Sequence, residues 1–207
     1  MVADASPSPF PSRDVRDRAR VEKREAVLRA AVRMFNARGF HATSLDDVAA
    51  SLGVSKPTIY HYLGNKEQVL IECVDRGLAQ LREAAAGAQA AHGSGRDRLR
   101  AFLIRYARVN MEDFGRCVIR TGEETLSPDG AARFRAGKRA IDRALRALIA
   151  EGMADGSLRQ GDVRLIGVTF AGALNWPARW HDPDGGEDIG ALGEAMADLL
   201  LRSVTPD

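Results

Sequence analysis

At 207 residues, 45% hydrophobic and 28% charged, the chain is long enough to bury a sizeable core, and no apolar run in it approaches membrane-spanning length. A net charge of only +2 means it is not a basic protein overall, but the charge is uneven: residues 1–66 carry 11 Lys and Arg against 7 Asp and Glu, and residues 67–207 carry 19 against 21. Two cysteines, Cys73 and Cys117, sit in helical apolar patterns without a pairing motif, which fits reduced core thiols in a cytoplasmic protein and not a disulfide framework.

Met1–Ser12 is rich in Pro, Ser and Ala, lacks the pattern of a signal peptide, and reads as a disordered tail, taken here as residues 1–14. Between Arg13 and Arg24, six basic residues alternate with Asp14, Asp17 and Glu22. That suits a solvated helix start with i,i+4 pairs, and equally an arm that touches phosphate or the minor groove. A helix is expected over Val21–Arg38, with Val27, Ala31, Met34 and Phe35 inward and Gly39 ending it.

The next stretch is the most specific. Ser44 and Asp47 have capping-box spacing, and Leu45, Val48, Ala49 and Leu52 form one apolar face. Gly53 stops that helix, Val54 can plug the angle after it, and Ser55 caps a second helix with Pro57 in its first turn. Ile59 and Leu63 face inward, which leaves Lys56, Thr58, Tyr60, His61 and Tyr62 on or near the open side. Those are phosphate and base-edge residues, and a helix opening with Ser-Lys-Pro-Thr offers N–H groups and hydroxyls to an anion at its positive end. Two short helices with a polar second member have the geometry that enters a DNA major groove.

Gly53-Val54-Ser55-Lys56-Pro57-Thr58-Ile59-Tyr60-His61-Tyr62 followed by Asn65-Lys66-Glu67 resembles the DNA-binding signature of TetR-family transcriptional regulators, with Leu63 where the family usually has Phe. The likeness covers about residues 20–70. It implies an all-α fold: a helix-turn-helix head over residues 15–66 and a helical ligand-binding and dimerisation body over 67–207. The DNA face it implies comprises Thr43, Ser44, Ser55, Lys56, Pro57, Thr58, Tyr60, His61, Tyr62 and Lys66. Thr58, Tyr60, Tyr62 and Lys66 are the expected phosphate holders; Lys56, His61 and also Tyr62 are the candidates for base edges.

From Asn65 a long helix is expected, with Leu70, Cys73, Val74, Leu78 and Leu81 buried, ending before His92-Gly93-Ser94-Gly95. Leu99, Phe102, Leu103, Tyr106 and Val109 mark another. A short helix is expected over Arg116–Glu124. Ser127-Pro128-Asp129 opens a long one with Phe134, Ile141, Leu145, Leu148 and Ile149 inward. Asp162–His181 reads as one helix, Asp182–Gly186 as a loop, and the last helix shows Ile189, Leu192, Met196 and Leu199 on one face. Small residues at Gly167, Ala171, Gly172 and Ala173, with the apolar face of the last helix, suggest a homodimer through the last two helices; intrachain packing is the alternative.

Residues expected to meet a small hydrophobic effector are Phe102, Tyr106, Phe114, Cys117, Arg120, Phe134, Phe170, Asn175, Trp176 and Arg179, although helical spacing alone makes most of them core. The segment Asn175–Gly186 is similar to the penultimate-helix end of TetR regulators that respond to acyl-CoA thioesters; capping and dimer packing account for it equally well. The expected function is a DNA-binding regulator, a repressor released from a near-palindromic double-stranded operator by its effector. The alternative is a helical acyl- or lipid-binding protein without operator binding. No cofactor and no membrane partner are expected, and catalysis finds little support. His41, His61, His92 and His181 are scattered, and no Ser/His/Asp order, HExxH, CxxC, Walker loop or GxGxxG occurs.

Overall fold

The computed structural model describes residues 13–206, all-helical with no strand among them. The elements are α1 (Arg13–Arg38), α2 (Leu45–Ser51), α3 (Lys56–Leu63), α4 (Lys66–Ala90), α5 (Gly95–Met111), α6 (Asp113–Arg120), a 3-10 turn (Glu123–Thr125), α7 (Pro128–Ala154), α8 (Val163–Asn175), α9 (Pro177–Trp180) and α10 (Ile189–Arg202). The tail expected over Met1–Ser12 lies outside the described residues.

Side chains set most of the helix starts. The Ser44–Asp47 box forms at α2, with the Ser44 N–H donating to Asp47 Oδ2 at 2.9 Å and the Asp47 N–H to Ser44 Oγ at 3.0 Å. The same reciprocal box recurs at α4 (Asn65, Gln68) and α5 (Ser94, Asp97). Ser127 caps α7 at Gly130, and Asp162 and Asp188 accept from the first N–H groups of α8 and α10.

Several boundaries differ from expectation. α1 begins at Arg13, not Val21: the segment holds no Gly or Pro, and Arg13 and Asp17 pair one turn apart at 3.9 Å. The segment weighed as an arm is therefore helical. Asp162–His181 is two helices, because Pro177 has no N–H to continue the ladder of α8. α6 starts three residues earlier than Arg116, directly after the extended backbone of Glu112 (ψ 161°). Leu52, expected inward, is 37% exposed, as is Val54, because the chain turns away from the core at the C-cap of α2.

Among the described residues two apolar cores form. The body core joins α5, α7 and the C-terminal half of α4 with Phe170, Leu174, Ala197 and Leu201. The other begins in the head with Leu28, Val32, Val48 and Ile59, and runs without a break into Val69–Leu78 of α4, Phe114–Val118 of α6 and Phe134 of α7. The core thus crosses the boundary expected at residue 66. The face of α10 expected to await a partner is mostly used within the chain: Ile189, Leu192 and Met196 pack against the body core beside α5, leaving Leu199 at 64% exposure. Among the described residues an exposed apolar stripe lies instead on α8, at Leu165 (62%) and Val168 (57%), and continues to Trp176 (62%).

Candidate nucleic-acid interface and body cavity

α3 is held by Ile59 and Leu63, both buried, so its remaining side chains face outward. The turn before it needs Gly53 at φ +65°, a conformation open to glycine at little cost. Ser55, Lys56, Pro57, Tyr60 and His61 are exposed, and Thr58 and Tyr62 are partly covered. Tyr60 stands 52% exposed. His61 packs edge-on against Tyr62, with ring centroids 5.3 Å apart. Ser55 occupies the N-cap position but makes no side-chain cap bond; its hydroxyl lies 2.8 Å from that of Thr58. The reason is local: Pro57 has no N–H to offer, and the Thr58 N–H already donates to the Ser55 carbonyl at 3.0 Å. A pair of hydroxyls is left at the positive end of α3.

Lys56 Nζ donates to Asp46 Oδ2 of α2 at 2.5 Å, a contact that raises the ammonium pKa and keeps it charged. Any base or phosphate that takes Lys56 must displace an exposed acidic partner from the neighbouring helix. Lys66, at the start of α4, sits 4.3 Å over the Phe40 ring and donates to the His41 carbonyl at 3.5 Å. His41, Ser44, Tyr60, Asn65 and Lys66 together line one open groove of about 460 Å³. Thr43 is placed differently from the rest of the expected DNA face. It is 2% exposed, and its hydroxyl donates to the Gly39 carbonyl at 2.9 Å, tying the end of α1 to the helix-turn-helix.

The head is joined to the body chiefly through α4 and α6. Asn36 Nδ2 donates to the Asp113 carbonyl at 2.8 Å, and Arg33 reaches the Asp113 carboxylate at 3.0 Å. Arg29 and Arg76 lie over the Phe114 ring, 5.7 and 5.3 Å from its centroid. Arg24 and Arg76 bind Glu72 of α4, and Arg76 also binds Glu25 of α1. Burial pushes the Glu72 carboxyl up, but the Arg24 hydrogen bond and the charges of Arg24 and Arg76 outweigh it and leave it below its ordinary value.

On its other side α6 borders the body. A cavity of about 170 Å³ is lined by Leu78 and Leu81 of α4, Tyr106 of α5, Val118 and Ile119 of α6, Lys138, Ile141, Asp142 and Leu145 of α7, and Ala171 and Asn175 of α8. Its polar corner is built. The Tyr106 hydroxyl donates to Asn175 Oδ1 at 3.1 Å, and Asn110 Nδ2 donates to the same oxygen at 3.0 Å and to the Leu174 carbonyl at 3.1 Å. Burial pushes the Tyr106 phenol up to about 12, so it stays a donor. Asn110 was missed from the sequence, though its position four residues after Tyr106 in an apolar stripe is a readable signal.

Of the expected effector residues, only Tyr106 and Asn175 line this cavity. Phe102 is fully buried beside Tyr106, and Phe134 is buried under Lys138. Phe114 is held by Arg29 of the head and Arg76 of α4, and Phe170 faces the Gly161–Thr169 and Ser203–Val204 side of the body. Cys117, Arg120 and Arg179 lie together in a separate cleft of about 280 Å³ that runs between Phe35–His41 of the head and Thr121–Thr125 of the body. Trp176 points outward. Among the described residues no cluster of His, Cys, Asp and Glu could hold a metal, and no helix is long and apolar enough to cross a membrane.

Comparison with known proteins bears on both halves. Residues 27–73 match the family of bacterial regulatory proteins, tetR family, and residues 92–204 match the tetracyclin repressor-like C-terminal domain. PfmR of Thermus thermophilus, a TetR-family transcriptional regulator, superposes with a TM-score of 0.76 at 33% identity, over 85% of this chain and 97% of that one. The regulator BetI of Rhizobium meliloti (strain 1021) is 35% identical over 81 residues, 39% of this chain, and the match spans 40% of BetI's length. AibR, in complex with isovaleryl coenzyme A and operator DNA, shares the fold with a TM-score of 0.74 at 23% identity, over 86% of this chain and 98% of AibR. With its head matching one family domain and more than half of its length matching the other, the chain belongs to the TetR family of transcriptional regulators.

Proposed function

We propose that the protein is a homodimeric repressor that binds a near-palindromic operator through α3 and leaves it when a small apolar effector occupies the body. The DNA face consists of Ser44, Ser55, Lys56, Pro57, Thr58, Tyr60, His61, Tyr62 and Lys66. Ser44, Tyr60 and Lys66 share one groove and serve the phosphate backbone, while Lys56 and His61 lie on the exposed face that meets base edges. The exposed stripe Leu165–Val168–Trp176 of α8, together with Leu199 of α10, forms the dimer surface. Two-fold symmetry then sets the recognition helices about 34–36 Å apart, or a multiple of that spacing. A dimer seated on a promoter blocks polymerase, which makes repression the expected sign.

The observation that carries the effector reading is the position of α6. Its Val118 and Ile119 wall the cavity, while its Asp113 and Phe114 hold α1 of the head. A ligand that enlarges the cavity moves the element that positions the head, and DNA and ligand then oppose each other by roughly 1–3 kcal/mol of coupling. At about 170 Å³ with a Tyr106–Asn175 corner, the cavity suits a short acyl group with a carbonyl to receive the hydrogen bond. Arg120 and Arg179, in the separate cleft on the head side of α6, supply cationic groups for the phosphates of a CoA thioester that reaches past α6. The fold shared with AibR, whose structure holds isovaleryl coenzyme A and operator DNA, supports this reading.

Fluorescence anisotropy with DNA from upstream of the protein's own gene, measured across salt concentrations, tests it. Tight, sequence-selective binding by two subunits, released by short-chain acyl-CoAs, is expected. Sequence-indifferent binding would overturn the operator assignment. Operator binding that no acyl-CoA disturbs would overturn the effector class.

A further inference from the structure

Cys73 and Cys117 are 44 positions apart in the chain but meet in space. α4 and α6 pack tightly at Gly77, where an added Cβ would lie 2.4 Å from the Phe114 carbonyl oxygen and 2.6 Å from Val118 Cγ2. One turn back along α4 from Gly77 stands Cys73, and one turn on along α6 from Phe114 stands Cys117. The missing side chain at Gly77 thus lets the two thiols lie in one buried cluster shared by α4 and α6. Both are buried, at 0% and 2% exposure. Cys117, however, forms part of the wall of the 280 Å³ cleft between head and body, a space that admits a molecule the size of a peroxide. Its sulfur also lies 3.7 Å from the Thr121 hydroxyl.

The hydrogen bond from Cys73 pulls the Cys117 thiol below its ordinary range, and the Thr121 hydroxyl adds to this; donating that bond, together with burial, pushes Cys73 up. Position makes the pair unequal: Cys117 lines the cleft and Cys73 does not, so Cys117 is the nucleophile and the deeper Cys73 its resolving partner.

We propose that Cys73 and Cys117 form a dithiol that hydrogen peroxide entering the head–body cleft oxidises to a disulfide linking α4 to α6. The Cys117 thiolate attacks one peroxide oxygen, giving a sulfenic acid and releasing hydroxide, which becomes water with the proton lost from the thiol. Cys73 then attacks the sulfenic sulfur, its proton leaves with the hydroxyl as a second water, and the S–S bond forms. Two thiols are oxidised and one peroxide is reduced. An S–S bond of about 2.05 Å is far shorter than a thiol–thiol contact, so closing it draws the two helices together or turns both side chains. α4 carries the head and α6 holds it, so the bond fixes the head on the body whatever the effector.

The test uses native full-length protein exposed to hydrogen peroxide, then denatured, alkylated and weighed. The expected product is about 2 Da lighter, resists alkylation at both cysteines, yields one linked peptide containing Cys73 and Cys117, and reverts with dithiothreitol. Cys73→Ser should stop at a Cys117 sulfenic acid that dimedone captures, and Cys117→Ser should not react. Full alkylation of both cysteines after peroxide, a disulfide between two chains, or a Cys117 sulfinic acid with Cys73 still free would overturn the proposal.

Discussion

Gly77→Ala tests the α4–α6 contact on which the head's position depends. The new Cβ would sit 2.4 Å from the Phe114 carbonyl oxygen and 2.8 Å from its carbonyl carbon. Both are backbone atoms, so no side chain can swing aside, and α6 must retreat by about 1 Å to restore ordinary contact. Overpacking of this kind costs about 1–3 kcal/mol, while replacing a helical glycine with alanine returns about 0.5–1 kcal/mol. Gly87→Ala, on the same helix with nothing within 4 Å of the added atom, receives the helical gain alone. The propensity term then cancels between the two variants, which should differ by about 1–3 kcal/mol, with Gly87→Ala at or above the wild type and Gly77→Ala below it. Thermal melting monitored by circular dichroism reads this difference, at roughly 2–4 °C per kcal/mol for a chain of this size. The same retreat of α6 should loosen the Asn36 and Arg33 contacts with Asp113 and weaken DNA binding. If Gly77→Ala melts with Gly87→Ala, the close approach of α4 and α6 is wrong, and the Cys73–Cys117 contact fails with it.

Three further outcomes are expected. Lys66→Ala should lower the slope of log K against log salt by about 1, because an ammonium that meets phosphate displaces a counterion; Tyr60→Ala should weaken binding on every DNA sequence with the slope unchanged, and anisotropy titrations at several salt concentrations distinguish the two. Leu165→Glu places a charge on the exposed α8 stripe and touches no core, so light scattering should find a monomer whose melting temperature falls only by the loss of the dimer; a dimer of unchanged affinity would remove α8 from the interface. Glu72 has a folded pKa below its ordinary value of 4.5, so its contribution is fully present above that value and is lost as pH falls through the lower, folded one. Melting between pH 6 and pH 3 should therefore fall less steeply for Glu72→Gln than for the wild type, and parallel curves would mean that the Arg24–Glu72–Arg76 network contributes nothing.

The helix-turn-helix could be read from the sequence because the signals that build it act within a few residues. The Ser44–Asp47 box, the left-handed turn at Gly53 and the inward pair Ile59 and Leu63 are all local, and the structure forms each of them. The expected Ser55 cap bond failed for an equally local reason, since Pro57 leaves one N–H fewer to cap. What lay beyond the sequence was where side chains from different helices end up. Thr43 turns in to bind the end of α1, Lys56 finds Asp46, and the apolar face of α10 is covered by α5. Ten residues chosen as effector contacts divide among a cavity, a cleft, two cores and the surface. Periodicity says which side of a helix is apolar, but not which neighbour covers it. Cys73 and Cys117 looked like two unrelated core thiols for the same reason. Only the crossing of α4 and α6, set by a glycine one turn away, brings them together, and a crossing geometry is a property of two surfaces packing, which no single stretch of chain contains.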